Sequence, residues 1–509
     1  MSASGRSKAG ADFLQLRPEE APPGGLAEWL AGELRAAIAD GRLAIGSRLP
    51  ATRQLAAELQ VSRGVVTEAY QRLTEDGHIA GRGRAGTTVV AAPVSRPAVS
   101  DEVPAEGARR AGILGGLSME EAQRARAGRL TLAEPDHDIF DAMRAAPARI
   151  DLTPGVPDLA AFPRAAWLKA ERAVLTDLSA SAFGYGDPAG TPALRLAVAN
   201  WLARNRGIKA DPADLIIVAG VSQALALICQ VLGGDGITEL AVEDPGSLGS
   251  RQHLQIWGMR TPPIPVDESG LRVDVLRASG ARAVLVTPAH QFPTGVVLDG
   301  ERRRELMQWA TDGGLIIEDD YDAEHRYDRP PVPAVRAMLT EQVIYTGSIS
   351  KLLAPALRIG WMLPPPRYRR ALIAAKRHAD LGNAGLPQLT LAHLMESGEL
   401  ERQLRFVRRR HRTRRDAMIT AITNHLPTAT VHGAAAGLHL TITFPDGPDD
   451  IALASAALDR GVKTQPLSWH YQQPLAPGLV LGYAARTPTE ITTAIPLIAT
   501  ALKSSRQRV

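Results

Sequence analysis

The segment around Lys351, YTGSISKLLAPALRIGW from Tyr345 to Trp361, places one amine beside two hydroxyls and a guanidinium. Ser348 and Ser350 precede the lysine, and Arg358 follows it. A lysine after an apolar strand is costly unless its charge is paired, its pKa is shifted or its amine is used covalently. An amine forms a Schiff base with an aldehyde, whereas serines and an arginine bind a phosphate dianion. The segment therefore predicts a site for a ligand that carries an aldehyde and a phosphate.

Two more segments carry groups that suit such a ligand. In VAGVSQALALI, a strand pattern and a glycine turn lead into a helix, which places Val221 and Ser222 at a phosphate-binding helix amino terminus. In IIEDDYDAEHRY, either Asp319 or Asp320 could pair with a protonated pyridine nitrogen while the other is a structural cap, and Asp319 is favoured. Such a pairing makes pyridoxal 5′-phosphate (PLP) an electron sink. These groups together indicate PLP as the cofactor.

The elements that must position these groups follow from the pattern of the chain after Ile150. Short apolar runs such as LIIVAG, ARAVLVTPA and QVIYTGS alternate there with helical patterns such as PALRLAVANWLARNRG. Alternating strands and helices predict a doubly wound α/β domain with a mostly parallel sheet. Ligands of such sheets bind at the carboxyl ends of the strands, and the polar segments fall at those ends.

A different pattern occupies residues 24–92. LAEWLAGELRAAIADGRL predicts an amphipathic helix, and two short helices follow, with Thr52 and Ser62 as candidate caps. The glycine- and arginine-rich GRGRAGT then suits a β-hairpin wing. This order predicts a winged helix-turn-helix whose second short helix can lie in the DNA major groove. The candidate DNA-binding residues are Arg53, Ser62, Arg63, Thr67, Arg82 and Arg84.

Length and composition restrict the remaining possibilities. A chain of 509 residues needs more than one core, and we divide it into the 24–92 module, a Pro-, Ala- and Arg-rich linker at 93–148, and a large domain at 149–509. A net charge of +4 permits DNA binding without arguing for it, and a single cysteine excludes an internal disulfide framework. The sequence has no metal-ligand spacing, P-loop, signal-peptide pattern or membrane span. We expect a soluble, cytoplasmic protein.

Residues 24–92 resemble the winged helix-turn-helix of the GntR superfamily, and residues 149–509 resemble a fold type I PLP domain of the aminotransferase class. The second resemblance is carried by FGYGDPAGTPALR, VEDPG, VTPAHQFPTG, IIEDDYDAEHRY and YTGSISKLLAPALRIGW, in that order. The whole chain resembles MocR-type transcriptional regulators. The resemblance implies an α/β fold with an N-terminal winged helix-turn-helix, a mixed, mostly parallel sheet and a smaller C-terminal α+β subdomain.

The resemblance also implies roles for single residues. Lys351 would form the Schiff base with PLP, Asp319 would face the pyridine nitrogen, and Tyr321 would hydrogen-bond the phenolic oxygen. The phosphate ligands implied in the same way are Val221, Ser222, Ser348, Ser350 and Arg358. Tyr185 resembles a tyrosine that reaches the phosphate of the neighbouring subunit, which implies a homodimer with shared sites.

Two positions depart from the family pattern. Ser247 follows EDPG, where relatives often have an aromatic residue that stacks on the pyridine ring. Leu479 and Val480 stand where an arginine for a substrate carboxylate is expected. The nearest arginine, Arg486, is the candidate effector-binding residue.

Three other features have two interpretations each. His290 and Gln291 either border the ring or satisfy a turn. His439 is interpreted as a packed core histidine rather than a ligand. The arginine-dense residues 402–416 are interpreted as part of a long helix, with a second DNA surface as the alternative.

Three functions compete for this sequence. The first is a transcriptional regulator that binds promoter DNA as a homodimer and senses an amino compound or a B6 vitamer through Lys351. The second is a working aminotransferase with an accessory DNA-binding module, which would need an anchor for two successive substrates. The third is a DNA-binding protein whose large domain only dimerises. We favour the regulator, because it explains the pairing of the two domains.

Overall fold

The computed structural model describes residues 14, 16–22, 25–40, 42–75, 78–81, 86–90, 139–327 and 332–506. Contacts between Cα atoms divide the chain into two units, residues 1–116 and 117–509. Within the described ranges, no helix is both long and apolar enough to cross a membrane. The same ranges contain no group of three His, Cys, Asp or Glu side chains placed to hold a metal ion.

The amino-terminal unit is a winged helix-turn-helix, as the sequence predicts. Its elements are α1 (Leu26–Ala39), β1 (Arg48–Leu49), α2 (Thr52–Glu58), α3 (Arg63–Glu75), β2 (Ile79–Gly81) and β3 (Thr87–Val89). The strands form an antiparallel sheet in the order β1-β3-β2, and β2 and β3 are the two sides of the wing. Val66, Ala69 and Leu73 of α3 are buried in the core shared with α1, so the opposite face of α3 stays exposed.

The two predicted helix caps have different outcomes. Ala51 is the residue that precedes α2, so Thr52 is the first helical residue and makes no capping hydrogen bond. The prediction for Thr52 was therefore wrong. Ser62 precedes α3, and its Oγ accepts a long hydrogen bond of 3.4 Å from the Val65 amide. Ser62 is thus in the predicted capping position.

The larger unit is built around an eight-stranded sheet. Its strands are β5 (Ile216–Val218), β6 (Ala241–Asp244), β7 (Pro263–Asp267), β8 (Gly270–Leu271), β9 (Ala283–Val286), β10 (Leu315–Asp320), β11 (Val343–Ser348) and β12 (Gly360–Leu363). They lie in the order β5-β12-β11-β10-β9-β6-β7-β8. The strands β7, β6, β9, β10 and β11 are mutually parallel, and β12 and β8 run antiparallel to their neighbours. This is the predicted mixed, mostly parallel sheet.

Both faces of this sheet are buried, as is usual for a doubly wound sheet. Ile217 packs in one hydrophobic cluster with Leu202, whereas its neighbours Ile216 and Val218 pack in another with Leu225. The helices that precede or connect the strands are α4 (Ile139–Ala145), α5 (Arg164–Asp177), α6 (Pro192–Arg206), α7 (Val221–Gly234), α8 (Leu248–Ile256), α9 (Val273–Ser279), α10 (Gly300–Thr311), α11 (Pro366–Asp380) and α12 (Gly385–Glu396).

The last part of the chain forms the predicted smaller α+β subdomain. Its elements are α13 (Glu399–His425), β13 (Thr430–His432), β14 (His439–Thr443), α14 (Asp450–Asp459), β15 (Val462–Lys463), β16 (Gln465–Pro466), β17 (Gly478–Gly482) and α15 (Pro488–Arg506). Four strands form an antiparallel sheet in the order β13-β14-β17-β16. The short β15 pairs in parallel with β4 (Ile150–Asp151), so the segment that enters the large unit is tied to this subdomain.

The helix α4 lies inside the residues that the sequence assigned to a linker. Met143 of α4 packs in a small cluster with Leu248 and Trp469. The segment IFDAMRA is too short for its periodicity to predict a helix. Residues 93–138 of the predicted linker lie outside the described residues.

A buried ion pair fixes one end of the central sheet. Arg206, the last residue of α6, donates from Nε to Asp320 Oδ2 at 2.5 Å, and both side chains are buried. The Tyr345 hydroxyl donates to the same carboxylate oxygen, also at 2.5 Å. Removing one partner of such a buried pair costs about 3–5 kcal/mol, so this contact holds β10, β11 and α6 in one arrangement.

The arginine-dense segment lies on α13, as the sequence predicts, and many of its guanidinium groups bind within the large unit. Arg410 and Arg414 both pair with the buried Asp158, at 2.7 and 2.9 Å. Arg408 and Arg412 donate to main-chain carbonyls at 2.6 and 2.7 Å. These contacts favour a structural role for the arginines over a second DNA surface.

Candidate functional site

A cavity of about 640 Å³ lies in the larger unit at the carboxyl edge of the sheet. The structure brings eight of the predicted cofactor residues to its lining: Val221, Ser222, Asp319, Tyr321, Ser348, Ser350, Lys351 and Arg358. They come from three separate segments of the chain, residues 221–222, 319–321 and 348–358. They meet because β10 and β11 are parallel neighbours, which align Asp319 with Thr346, and because α7 begins at the same sheet edge.

Lys351 lies in the turn that follows β11, and its amine is held by the main chain. Lys351 Nζ donates to the Gly155 carbonyl at 2.5 Å, and its own carbonyl lies 3.1 Å from His325 Nε2. Burial lowers the pKa of the Lys351 amine, and the carboxylates of Asp322 and Asp319 oppose that shift. A lowered pKa increases the share of neutral amine, which is the form that attacks an aldehyde.

The adjacent aspartates at the end of β10 face opposite sides of the sheet, as successive strand residues must. Asp320 Oδ2 accepts hydrogen bonds from Arg206 and Tyr345. Asp319 lines the cavity, and its Oδ1 has no hydrogen-bond partner among the described residues. Burial, together with the neighbouring Asp320, raises the pKa of Asp319 to about 7. A half-buried carboxyl whose Oδ1 is buried and unpartnered fits a cationic ring nitrogen.

The other end of the cavity suits a dianion. Gly220 has a φ of +82°, and a Cβ added there would lie 3.1 Å from the Arg358 guanidinium. Only a glycine lets that arginine approach the start of α7 so closely. The first amides of α7, at Val221 and Ser222, lack intrahelical acceptors and bear the positive end of the helix dipole. With the hydroxyls of Ser348 and Ser350, this arrangement fits a phosphate group.

Tyr321 lines the cavity, and His290 contacts it from behind the lining. The Tyr321 hydroxyl is 2.9 Å from His290 Nδ1, and the same nitrogen is 2.9 Å from Asp322 Oδ2. Burial raises the pKa of Tyr321, so its hydroxyl stays protonated and can donate to a ligand oxygen. Gln291 donates to the carbonyls of Pro245 (2.7 Å) and Phe292 (2.6 Å), which matches the turn-satisfying interpretation.

Several aromatic and imidazole rings line the cavity without having been predicted to. Phe292 lies edge-on to His470, with 5.0 Å between ring centroids, and 5.0 Å from His439. His439 is buried as predicted, with Nε2 3.2 Å from the Pro293 carbonyl, yet it also lines the cavity. Ser247 caps α8 by accepting from the Ser250 amide at 3.2 Å. No sequence pattern indicated Phe292 or His470, because they come from loops.

Arg486 does not reach this cavity. Its Nε donates to the Asp151 carbonyl at 2.7 Å, and its guanidinium pairs with Glu490 at 3.5 Å. The arginine anchors the start of α15 to β4, and its assignment to an effector stays a prediction. Leu479 and Val480 are buried in β17, so they offer no cation either.

The remaining predicted residues lie away from the cavity. Tyr185 is 95% exposed and does not line it within this chain. In the amino-terminal unit, the side chains of Arg53, Ser62, Arg63 and Thr67 are exposed. The predicted wing residues Arg82 and Arg84 lie outside the described residues.

The raised pKa of Asp319 predicts that the free energy of unfolding of the cofactor-free protein depends on pH. The folded state holds this proton up to about pH 7, whereas the unfolded state releases it near 3.8, so the free energy of unfolding falls as pH rises between those values. A displacement of about three pH units corresponds to at most about 4 kcal/mol. We expect Asp319→Asn to gain stability over the native protein progressively from pH 4 to pH 7, measured by urea unfolding.

Asp312→Asn is the matched control, because Asp312 is exposed and paired only with surface groups. Its stability relative to the native protein should change little over the same pH range. Parallel pH profiles for Asp319→Asn and the native protein would contradict the burial argument.

Comparison with known proteins agrees with both units. The gntR family of bacterial regulatory proteins matches residues 26–89, and the class I and II aminotransferase family matches residues 148–495. The probable rhizopine catabolism regulatory protein MocR of Rhizobium meliloti is 30% identical over 90% of this chain and 89% of its own length. The pyridoxine biosynthesis transcriptional regulator PdxR of Corynebacterium glutamicum is 29% identical over 93% of this chain and 94% of its own.

Solved structures match the larger part of the chain. Kynurenine aminotransferase from Pyrococcus horikoshii superposes with a TM-score of 0.66 at 27% identity, covering 72% of this chain and 93% of that one. The α-aminoadipate aminotransferase LysN from Thermus thermophilus, complexed with a phosphopyridoxyl-leucine, gives 0.67 at 25% identity, covering 77% and 100%. The relatives that span nearly the whole chain are regulators, so a working aminotransferase with an accessory module is not favoured. The chain belongs to the MocR-type transcriptional regulators, PLP-dependent proteins that join a GntR-family helix-turn-helix to a class I and II aminotransferase domain.

Proposed function

We propose that this regulator binds PLP at Lys351 and that its affinity for promoter DNA changes when a small amine or a B6 vitamer occupies the cavity. The observation that carries the proposal is the convergence of Lys351, Asp319 and the phosphate cradle at Gly220 on one cavity, in a chain that also carries a winged helix-turn-helix. Because the DNA that it reads is bacterial promoter DNA, we expect it to act in the cytoplasm.

In this proposal different residues of the chain contact different parts of the cofactor. When bound, PLP supplies an aldehyde that bonds reversibly to primary amines and a pyridine ring that withdraws electrons. Lys351 would supply the amine that bonds the aldehyde, and the Gly155 carbonyl would accept a hydrogen bond from that amine when it is not bonded to the cofactor. Asp319 keeps a proton on the ring nitrogen, and Tyr321 donates its hydroxyl proton to the phenolic oxygen. Arg358 and the start of α7 fix the phosphate.

A ligand changes DNA binding only if it binds two arrangements of the protein with different affinities. The contact between Lys351 Nζ and the Gly155 carbonyl would be such a difference, because it requires a lysine amine that is not bonded to the cofactor. The sign of the response follows from which arrangement presents the two DNA-binding modules at the half-site spacing.

We expect Lys351→Ala to abolish covalent attachment of the cofactor. After saturation with PLP and reduction with borohydride, mass spectrometry should find the adduct on the Lys351 peptide of the native protein and on no peptide of the variant. Binding to an operator selected from random duplexes should persist in the variant but no longer respond to added PLP. The exposed Lys169→Ala is the control and should behave like the native protein. An adduct on another lysine would refute the assignment.

We propose that α3 reads the major groove, with Arg63 at its start and Arg53, Ser62 and Thr67 nearby. The side chains of α3 that face away from the core are the exposed ones, and the Thr67 hydroxyl is already bonded to the Arg63 carbonyl at 2.9 Å. Arg63 is therefore the strongest candidate for a charged contact, because a guanidinium binds both phosphates and guanine edges.

We expect Arg63→Ala to weaken operator binding about tenfold without changing cofactor content. Fluorescence anisotropy at several salt concentrations would measure the affinity, and loss of a phosphate contact would also reduce the salt slope by about one. Arg42→Ala is the control, since Arg42 is exposed and paired with Asp40 at 2.9 Å. Equal affinities for the two variants would rule out this placement of α3.

We propose that the regulator is a homodimer in which Tyr185 reaches the phosphate of the neighbouring site. Tyr185 is 95% exposed in the single chain, and the exposed apolar residues Phe183 (59%), Leu168 (64%) and Leu175 (45%) lie close to it in sequence. An exposed apolar group of this kind is typical of an interface.

A heterodimer tests the shared site. Tyr185→Phe should weaken cofactor retention about tenfold, because it removes a hydrogen bond to a charged group. A Tyr185→Phe subunit co-expressed with a Lys351→Ala subunit should contain one intact site, which combines Lys351 of the first with Tyr185 of the second. We expect half the native amount of tightly held cofactor, measured after gel filtration. Retention in the heterodimer no better than in either parent would show that the sites are not shared.

A further inference from the structure

The turn that leads into α7 is held at both main-chain groups of one residue. Ala219 directly precedes Gly220, the glycine of the phosphate cradle. The Ala219 carbonyl accepts a hydrogen bond from Arg358, and the Ala219 amide donates to Gln223 Oε1 at 2.8 Å. Gln223 is the third residue of α7, and its side chain reaches back over the first turn, much as the glutamine of a capping box does. A side chain of α7 therefore helps to fix the turn that forms the cradle.

Gln223 is held in turn by the last residue of α11. Gln223 Nε2 donates to Asp380 Oδ2 at 2.7 Å. A glutamine side chain carries one acceptor oxygen and one donor nitrogen, and here the oxygen faces a main-chain amide while the nitrogen faces a carboxylate. Both halves of the side chain are thus used, and the bond to Asp380 is of the stronger, charge-assisted kind. Gln223 links the cradle to α11.

A buried lysine fixes Asp380. Lys376, which is 0% exposed, donates from Nζ to both carboxylate oxygens, at 2.8 and 2.6 Å. The Gly382 amide donates to Oδ1 at 2.8 Å. Burial would raise the pKa of Asp380, but hydrogen bonds from Lys376 and Gln223 lower it overall, so the carboxyl is ionised. The ammonium of Lys376 balances that charge, which limits its repulsion of a phosphate dianion.

The helix α11 gives this network a fixed support. Leu372 of α11 packs in one hydrophobic cluster with Leu225 and Ile228 of α7. Just beyond α11, the Asn383 side-chain amide lies 3.4 Å from the Arg358 carbonyl, to which it can donate. The end of α11 therefore contacts both parts of the cradle, namely the start of α7 and the turn that carries the arginine.

We propose that Gln223, Asp380 and Lys376 position the phosphate cradle, so that the affinity for PLP depends on three residues outside the cavity lining. They are positioning residues, because each acts through groups that line the cavity. This inference rests on the proposed function, in which Arg358 and the start of α7 bind the phosphate. Donors that are already held in place bind an anion more tightly than donors that must first be ordered. Loss of the bond between Ala219 and Gln223 removes part of that order.

Two ligands that differ only in the phosphate test this inference. PLP and pyridoxal both carry the aldehyde that reacts with Lys351, but pyridoxal has a hydroxyl in place of the phosphate. The dissociation constants of both are measured by the change in cofactor absorbance, and their ratio reports the contribution of the phosphate. Gln223→Leu removes both hydrogen bonds of the side chain at nearly constant volume. We expect it to weaken PLP binding about tenfold and pyridoxal binding less than about twofold.

Gln308→Leu is the matched control. Gln308 of α10 also donates to an aspartate, from Nε2 to Asp312 Oδ1 at 2.8 Å, and it is exposed and does not line the cavity. This variant should keep both native dissociation constants. Asp380→Asn preserves the size of the side chain but removes the charge that strengthens the bond from Gln223. It should reduce the preference for PLP by a smaller factor than Gln223→Leu, and it serves as the test if Gln223→Leu fails to fold.

Two results would overturn the inference. One is a native ratio of dissociation constants in both Gln223→Leu and Asp380→Asn, and the other is equal weakening of PLP and pyridoxal binding in both variants, which indicates a general loss of structure. In either case the native protein would still prefer PLP to pyridoxal. Equal binding of the two ligands by the native protein would instead refute the phosphate cradle and with it the proposed function, so the two failures are distinguishable.

Discussion

Two adjacent carboxyl groups at the end of β10 face opposite sides of the sheet, and this arrangement determines the structure of the candidate site. Asp320 points to the side where Arg206 and Tyr345 neutralise it, and Asp319 points to the cavity with an oxygen that no described residue satisfies. Asp320 binds Arg206 and Tyr345 through Oδ2, whereas Asp319 lines the cavity, so the two carboxyl groups have different surroundings although they are adjacent in the chain. The ion pair thus fixes the strand end and leaves one carboxyl for a ligand.

The cavity is lined by two kinds of structural element. The cofactor end is built from strand ends and a helix amino terminus, which the parallel sheet holds in register. The opposite wall comes from α4, the turn after β4 and the loops of the C-terminal subdomain, which meet through small contacts such as the Met143 cluster. In the described chain α4 is the first element after the stretch that joins the two units.

The arginines of this protein show how little a residue type alone reveals. Arg410 and Arg414 on α13 neutralise a buried aspartate, and Arg486 binds a main-chain carbonyl, although all three were plausible ligand or DNA contacts. Arg144 lines the cavity, although its segment was assigned to a linker. Guanidinium groups are long and bind many acceptors, so their partners depend on the fold around them.

The sequence by itself determined the two units, the winged helix, the mostly parallel sheet and the set of residues around Lys351, because these features are encoded in local periodicity and in motifs at strand ends. It left Asp319 and Asp320 as alternatives and overlooked Phe292, His470 and α4. It was also wrong about the cap at Thr52. Those questions depend on which side of a strand a residue faces and which distant loop packs against it. Only the tertiary structure decides them, because burial and pairing arise from segments that are far apart in the chain.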